Sequence, residues 1–123
     1  MTTDNYAAHT YYGNALAAEG QTDAAIAEYG RALLIRPDFP EAHNNLGPAL
    51  AAQGKLDDAI SHFREVIRLR PHYADAYSNL GVALASQGLW ESAMAAYNTA
   101  LRLDPDHSRA RANLQLALRA VGK

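Results

Sequence analysis

Three asparagines, Asn45, Asn79 and Asn113, stand 34 residues apart. A carboxamide carries one acceptor oxygen and two N–H donors. A peptide unit carries one acceptor and one donor, so each asparagine can hold a peptide backbone two-for-two without reading its side chains. The same column copied by duplication onto a solvated helix face would do nothing, and the spacing alone leaves both readings open. The five histidines (His9, His43, His62, His72 and His107) offer acid–base or metal chemistry in principle. No two are four residues apart and no His-Glu-x-x-His run occurs, so no helical zinc pair is written into the chain. Cys is absent, which removes thiol nucleophiles, disulfides and Cys-built metal sites. Ser61, Ser78, Ser86, Ser92 and Ser108 lack the setting of a nucleophile elbow. The chain is expected to be no enzyme and to need no cofactor or metal.

The elements that must position the asparagines follow from the same period. Gly13, Gly47 and Gly81 keep the 34-residue interval, as do Gly20, Gly54 and Gly88, Ala25, Ala59 and Ala93, and Pro37, Pro71 and Pro105. Each unit reads as two helices. In the second unit, Ala42, Leu46, Ala49 and Leu50 share one helical face, and Gly54 marks a left-handed stop. Leu56, Ala59, Ile60, Phe63, Val66 and Ile67 then form a second apolar stripe. Pro71 ends it by holding Arg70 out of the α region. No segment alternates with period two, so no strand is expected.

A 34-residue helix–turn–helix unit resembles the tetratricopeptide repeat, whose skeleton is W-x2-L-G-x2-Y, then A-x3-F, then P. The first unit shows His9-x2-Tyr12-Gly13-x2-Leu16, Ala25-x3-Tyr29 and Pro37. The second shows His43-x2-Leu46-Gly47-x2-Leu50, Ala59-x3-Phe63 and Pro71. The third shows Tyr77-x2-Leu80-Gly81-x2-Leu84, Ala93-x3-Tyr97 and Pro105. Arg111-x2-Leu114-Gln115-x2-Leu118 restarts the first-helix pattern with no second helix after it. The resemblance implies an all-α solenoid: three hairpins plus a capping helix, seven helices in a right-handed superhelical arc. The expected domain is single, residues 1–123, with repeats at about 6–39, 40–73 and 74–107 and the cap at about 108–120. Tyr12, Tyr29 and Tyr97 are expected in core columns, and the aromatic of each second helix in the seam to the next hairpin. His9 and His43 share a hairpin-packing column. Leu114, Ala117 and Leu118 are expected to cover the third hairpin.

In this family the first helices line a concave groove, and the resemblance implies which residues face a ligand there. One column reads Tyr11, Asn45, Asn79 and Asn113; the column after the glycine reads Asn14, Pro48, Val82 and Leu116. Asn44 joins them because Pro48 has no N–H to return to its carbonyl. Ala7, Glu41, Asp75 and Arg109 form the groove edge, where Glu41 and Asp75 are expected to favour a ligand Lys or Arg. The style of Pro40 to Pro105 is similar to the repeats of O-linked N-acetylglucosamine transferases, which use an asparagine ladder. The carboxylate clamp of chaperone-binding members does not fit. Asn14 and Asn45 match its asparagines, but its three basic positions hold Thr10, Asp75 and Asn79.

Length and composition agree. A chain of 123 residues, 49% hydrophobic and 20% charged, makes one folded domain. Net charge −2 and pI near 6.2 argue against nucleic-acid binding. No leader and no apolar run of membrane length is visible, and the lack of Cys fits the cytoplasm. The expected function is a scaffold that binds a protein or peptide partner as an extended segment in the groove. The alternatives are self-association through open repeat ends, or a targeting domain of a larger enzyme.

Overall fold

The computed structural model describes residues 5–122. Seven helices follow in order: α1 Tyr6–Ala18, α2 Thr22–Ile35, α3 Pro40–Ala52, α4 Leu56–Leu69, α5 Ala74–Ser86, α6 Trp90–Leu103 and α7 Ser108–Gly122. No strand occurs among the described residues.

The punctuation is chemical. Asn5 caps α1, its side chain accepting from the Ala8 N–H at 3.0 Å. Gly20, Gly54 and Gly88 sit at φ near +80°, where an L side chain is strained. Each closes a Schellman turn, as when the Lys55 N–H reaches the Leu50 carbonyl at 2.9 Å and the Gly54 N–H reaches Ala51. Between hairpins, Pro37, Pro71 and Pro105 occupy the second position of tight turns. There the Phe39, Tyr73 and His107 N–H groups return to the carbonyls of Arg36, Arg70 and Asp104.

One column braces those turns. His43 Nε2 donates to the Pro37 carbonyl at 2.7 Å, and the Tyr77 hydroxyl to the Pro71 carbonyl at 2.9 Å. The Arg111 guanidinium reaches the Pro105 carbonyl in the same way. Three different side chains share the one property the site needs, a donor that can reach six residues back.

Within each hairpin the helices cross at a glycine. A Cβ added to Gly13, Gly47 or Gly81 would clash with the ring of Tyr29, Phe63 or Tyr97 respectively. The aromatic therefore fills the crossing of its own hairpin, where the sequence reading placed it in the seam to the next. Ala25, Ala59 and Ala93 are fully buried, as are Ala42, Ala76 and Ala110. First helices of successive hairpins touch one another and second helices do not. The stack thus closes on the first-helix side, which becomes the concave face.

The ends depart from the repeat. Tyr12 is 60% exposed although its counterparts Leu46 and Leu80 are 6% and 8% exposed. No helix of the described residues packs over that face, so the expected core position is open. Ala117 is buried and Leu114 packs on the core, but Leu118 is 46% exposed. Leu118 is the counterpart of Leu84, which is buried within a hairpin. Among the described residues no second helix packs on α7, so Leu118 is left open, and the expectation is corrected there.

Candidate peptide-binding groove

The first helices carry the candidate residues to the inner face. Asn45 and Asn79 are half-buried, and each already spends one N–H on the preceding repeat. Asn45 Nδ2 donates to Asn14 Oδ1 at 2.9 Å, and Asn79 Nδ2 donates to Asn44 Oδ1 at 3.3 Å. An amide has two donors and one oxygen. Each therefore keeps one N–H and its oxygen for a ligand, the two groups a peptide unit requires. Asn113, on α7, makes no hydrogen bond with the described residues. Tyr11 is 72% exposed and stands beside Tyr12, ring centroids 6.4 Å apart.

Behind this column lies the one that follows the glycine. Asn14 Oδ1 also accepts from the Tyr29 hydroxyl at 2.7 Å, so its oxygen is occupied twice within the fold. Pro48 occupies the same place beside Phe63, and Val82 beside Tyr97. The α3 helix runs unbroken through Pro48, whose ring is exposed. Burial pushes the Tyr29 and Tyr97 hydroxyls up from the ordinary phenol range.

Three cavities open along the groove. The first, about 280 Å³, is lined by Val82, Ala85, Ser86, Trp90, Tyr97, Asn113 and Leu116. The second, about 250 Å³, lies one repeat earlier among Pro48, Ala51, Phe63, Asn79, Val82, Ala83 and Arg109. A third of about 110 Å³ is polar and holds Asn44 and Asn45 with Glu41, Arg70 and Tyr73. Val82 separates the two larger ones, and each has one asparagine of the column in its wall.

The edge corrects one expectation. Glu41 pairs with Arg70 at 2.8 Å. Asp75 accepts from His107 Nε2 at 2.6 Å and lies 3.8 Å from Arg109. Each acid thus already has a partner within the fold, Arg70 for Glu41 and His107 with Arg109 for Asp75, where a ligand Lys or Arg was expected. His107 takes part twice, since its Nδ1 accepts from the Ala110 N–H at 3.1 Å and caps α7. Burial, with Asp75 adding to it, raises the Tyr73 hydroxyl from its ordinary value. On the opposite edge Gln53 donates to Asp23, and Gln87 to Asp57 at 2.7 Å, a second ladder between repeats.

His9, His43 and His62 lie between the helices of their hairpins, and His72 is exposed in the turn after α4. His9 Nδ1 meets Glu28 at 2.7 Å, and that hydrogen bond holds the Glu28 carboxyl below the usual carboxylate range. His43 meets His62. Among the described residues no group of three or more His, Asp or Glu side chains is placed to hold a metal ion.

Cavity-lining residues outside the expected site include Phe63, Arg70, Tyr73, Ala83, Trp90 and Tyr97. Only Tyr97 left a signal: Tyr29 and Tyr97 match in their column, but their neighbours Asn14 and Val82 do not.

A seven-helix solenoid with a groove of this kind is a helical-repeat interaction module. Family descriptions for the tetratricopeptide repeat match residues 44–108 and residues 13–54. The chain belongs to the tetratricopeptide repeat family. No curated protein sequence matches it. Solved structures do. The first TPR domain of Spaghetti (RPAP3), bound to an HSP90 peptide, is 25% identical, with TM-score 0.92 over 96% of this chain and 94% of its own. YrrB, described as a TPR protein with an unusual peptide-binding site, is 31% identical, with TM-score 0.87 over 90% of this chain and 57% of its own. An O-GlcNAc transferase mutant from Thermobaculum terrenum is 30% identical, with TM-score 0.89 over 96% of this chain but only 23% of its own. No helix among the described residues is long and apolar enough to cross a membrane.

Proposed function

We propose that this chain is a non-catalytic interaction scaffold that holds an extended peptide segment along its concave face. The observation that carries the reading is the row of two cavities on either side of Val82, with Asn79 at one and Asn113 at the other. An extended chain advances about 3.3 Å per residue. Neighbouring helices pack about 10 Å apart, so successive asparagines meet roughly every third ligand residue. Each keeps a donor and an acceptor for the ligand backbone, and the cavities take side chains between them. At about 0.5–1.5 kcal/mol per hydrogen bond, three asparagines support roughly micromolar binding once ordering costs are met. The peptide bound to RPAP3 and the peptide-binding site named for YrrB support the reading by likeness of fold.

The test is capture of peptides or protein partners by the wild type and by an Asn45→Ala/Asn79→Ala/Asn113→Ala variant. Binding is expected to be lost while the melting temperature changes little. A variant that unfolds, or one that binds as before, removes the asparagines from the site.

A second reading rests on Tyr12, whose exposure leaves a core position of the repeat uncovered. A further repeat or a second copy would bury it. Light scattering that rises with concentration, and that Tyr12→Lys abolishes, would favour self-association. The short share of the transferase that this chain spans keeps a larger enzyme's targeting domain as a form of the first reading.

A further inference from the structure

The cavity between α5, α6 and α7 has a hydroxyl in its wall that takes no partner within the fold. Tyr29, Phe63 and Tyr97 hold equivalent places, each with the same ring edge against the glycine of its own hairpin. Equivalent rings aim their far ends in the same direction. In the first repeat the Tyr29 hydroxyl meets Asn14 Oδ1 at 2.7 Å. In the second, Phe63 has no hydroxyl, and the apolar Pro48 stands where Asn14 did. The third repeat breaks this matching, because Tyr97 has its hydroxyl but Val82 stands in the partner's place. Tyr97 is 2% exposed as a residue, and its hydroxyl makes no hydrogen bond among the described residues; the oxygen is not sealed off but meets the open cavity. A ligand that fills the cavity would bury that hydroxyl, and a buried hydroxyl needs a partner.

The cavity of about 280 Å³ opens on that place. It is smaller than the roughly 300–1,000 Å³ of a small-molecule site and suits one side chain. Val82, Ala85 and Leu116 make its walls apolar, Trp90 adds an aromatic surface, and no ionised side chain lines it. The other polar group that turns to it without a hydrogen bond is the Asn113 amide. Its occupant must therefore be uncharged, with an apolar body and a tip that both donates and accepts. A phenol meets all three demands.

We infer that this cavity is a specificity pocket for a tyrosine side chain of the peptide ligand, its ring against Trp90 and its hydroxyl on Tyr97 and Asn113. The inference rests on the peptide-binding reading of the groove and adds which side chain the third repeat selects. A site built to bond a hydroxyl rejects the analogue that lacks one, because its own buried polar groups are then left unpaired. Phenylalanine in the pocket would strand Tyr97.

The experiment selects peptides from a random dodecapeptide display library on the wild-type chain. An enriched peptide is then synthesised with Tyr, Phe or Leu at each enriched position. Binding is read by the fluorescence of Trp90, the chain's only tryptophan. One position is expected to prefer Tyr over Phe by about fivefold to tenfold. Tyr97→Phe should erase that preference. It should fold, because Phe63 fills the same place against Gly47. Val82→Asn, which gives Tyr97 the internal partner that Asn14 gives Tyr29, should also reduce it. Peptides whose binding needs Asn79 but which favour Leu or a charged residue there overturn the pocket and leave the groove standing. So does a Tyr preference that survives in Tyr97→Phe. If no peptide is captured in a way that depends on Asn79, the groove reading itself fails and the pocket with it.

Discussion

His43 and His62 share one proton across 2.9 Å between their Nδ1 atoms. His43 Nε2–H is committed to the Pro37 carbonyl, so neutral His43 presents a bare Nδ1 and His62 Nδ1–H donates to it. In the first repeat the same two columns hold His9 and Glu28, a pair that gains from protonation of the histidine. The second repeat has placed two imidazoles where it had one and a carboxylate.

Acid should therefore loosen the second hairpin. Burial, and then the neighbouring His43, hold the His62 pKa below its ordinary value, with Asp58 and Glu65 opposing them. The unfolded chain binds the proton more readily than the folded one. The contribution to stability is whole above the ordinary value of about 6.5 and is lost as pH falls from there through the depressed folded value. The melting temperature should drop between about pH 7.5 and about pH 5.5. His62→Glu, which recreates the His9–Glu28 pair, should shrink that drop. Identical profiles for variant and wild type would remove the pair as its source.

Ser78 Oγ is fully buried and has no hydrogen-bond partner among the described residues. Its counterpart Thr10 has one, donating to the Tyr6 carbonyl at 2.9 Å. Ser78→Ala should stabilise the fold by about 1 kcal/mol, through the lost desolvation penalty and better helix propensity. Urea denaturation measures it, and a loss of stability would show that the hydroxyl is bonded in solution.

An interior proline costs about 3 kcal/mol relative to alanine, by its missing N–H and its crowding of the preceding turn. Pro48→Ala should raise the melting temperature by several degrees by returning a donor to the Asn44 carbonyl. If Pro48 also shapes the ligand cavity it lines, peptide affinity falls in the same variant. No gain in stability would mean that α3 accommodates the ring without cost.

Removing residues after Pro105 uncovers the face of the third hairpin on which Leu114 and Ala117 pack. Burying one leucine is worth about 1.5–3 kcal/mol, so the shortened chain should aggregate or melt far earlier. Scattering and thermal denaturation both read this, and a soluble truncation with unchanged melting would sink the capping role of α7.

The period of 34 determined most of the architecture before any coordinate was known. Glycine, alanine and proline columns state where helices cross, where they stop and how many there are, because each obeys a local backbone or packing rule. The candidate groove was legible to the same depth, since residues in one column share one face. The partners those residues take were not legible. Asn45 turns to Asn14, Asn79 to Asn44, Glu41 to Arg70 and Asp75 to His107, across separations of 29 to 35 residues. Such choices depend on how two hairpins stack and which rotamers survive, and periodicity is silent on both. The same holds for Tyr97. Its column marks it as a packing aromatic, but only the stacked structure sets its ring against Gly81 and turns its hydroxyl to Val82 and an open cavity instead of an asparagine.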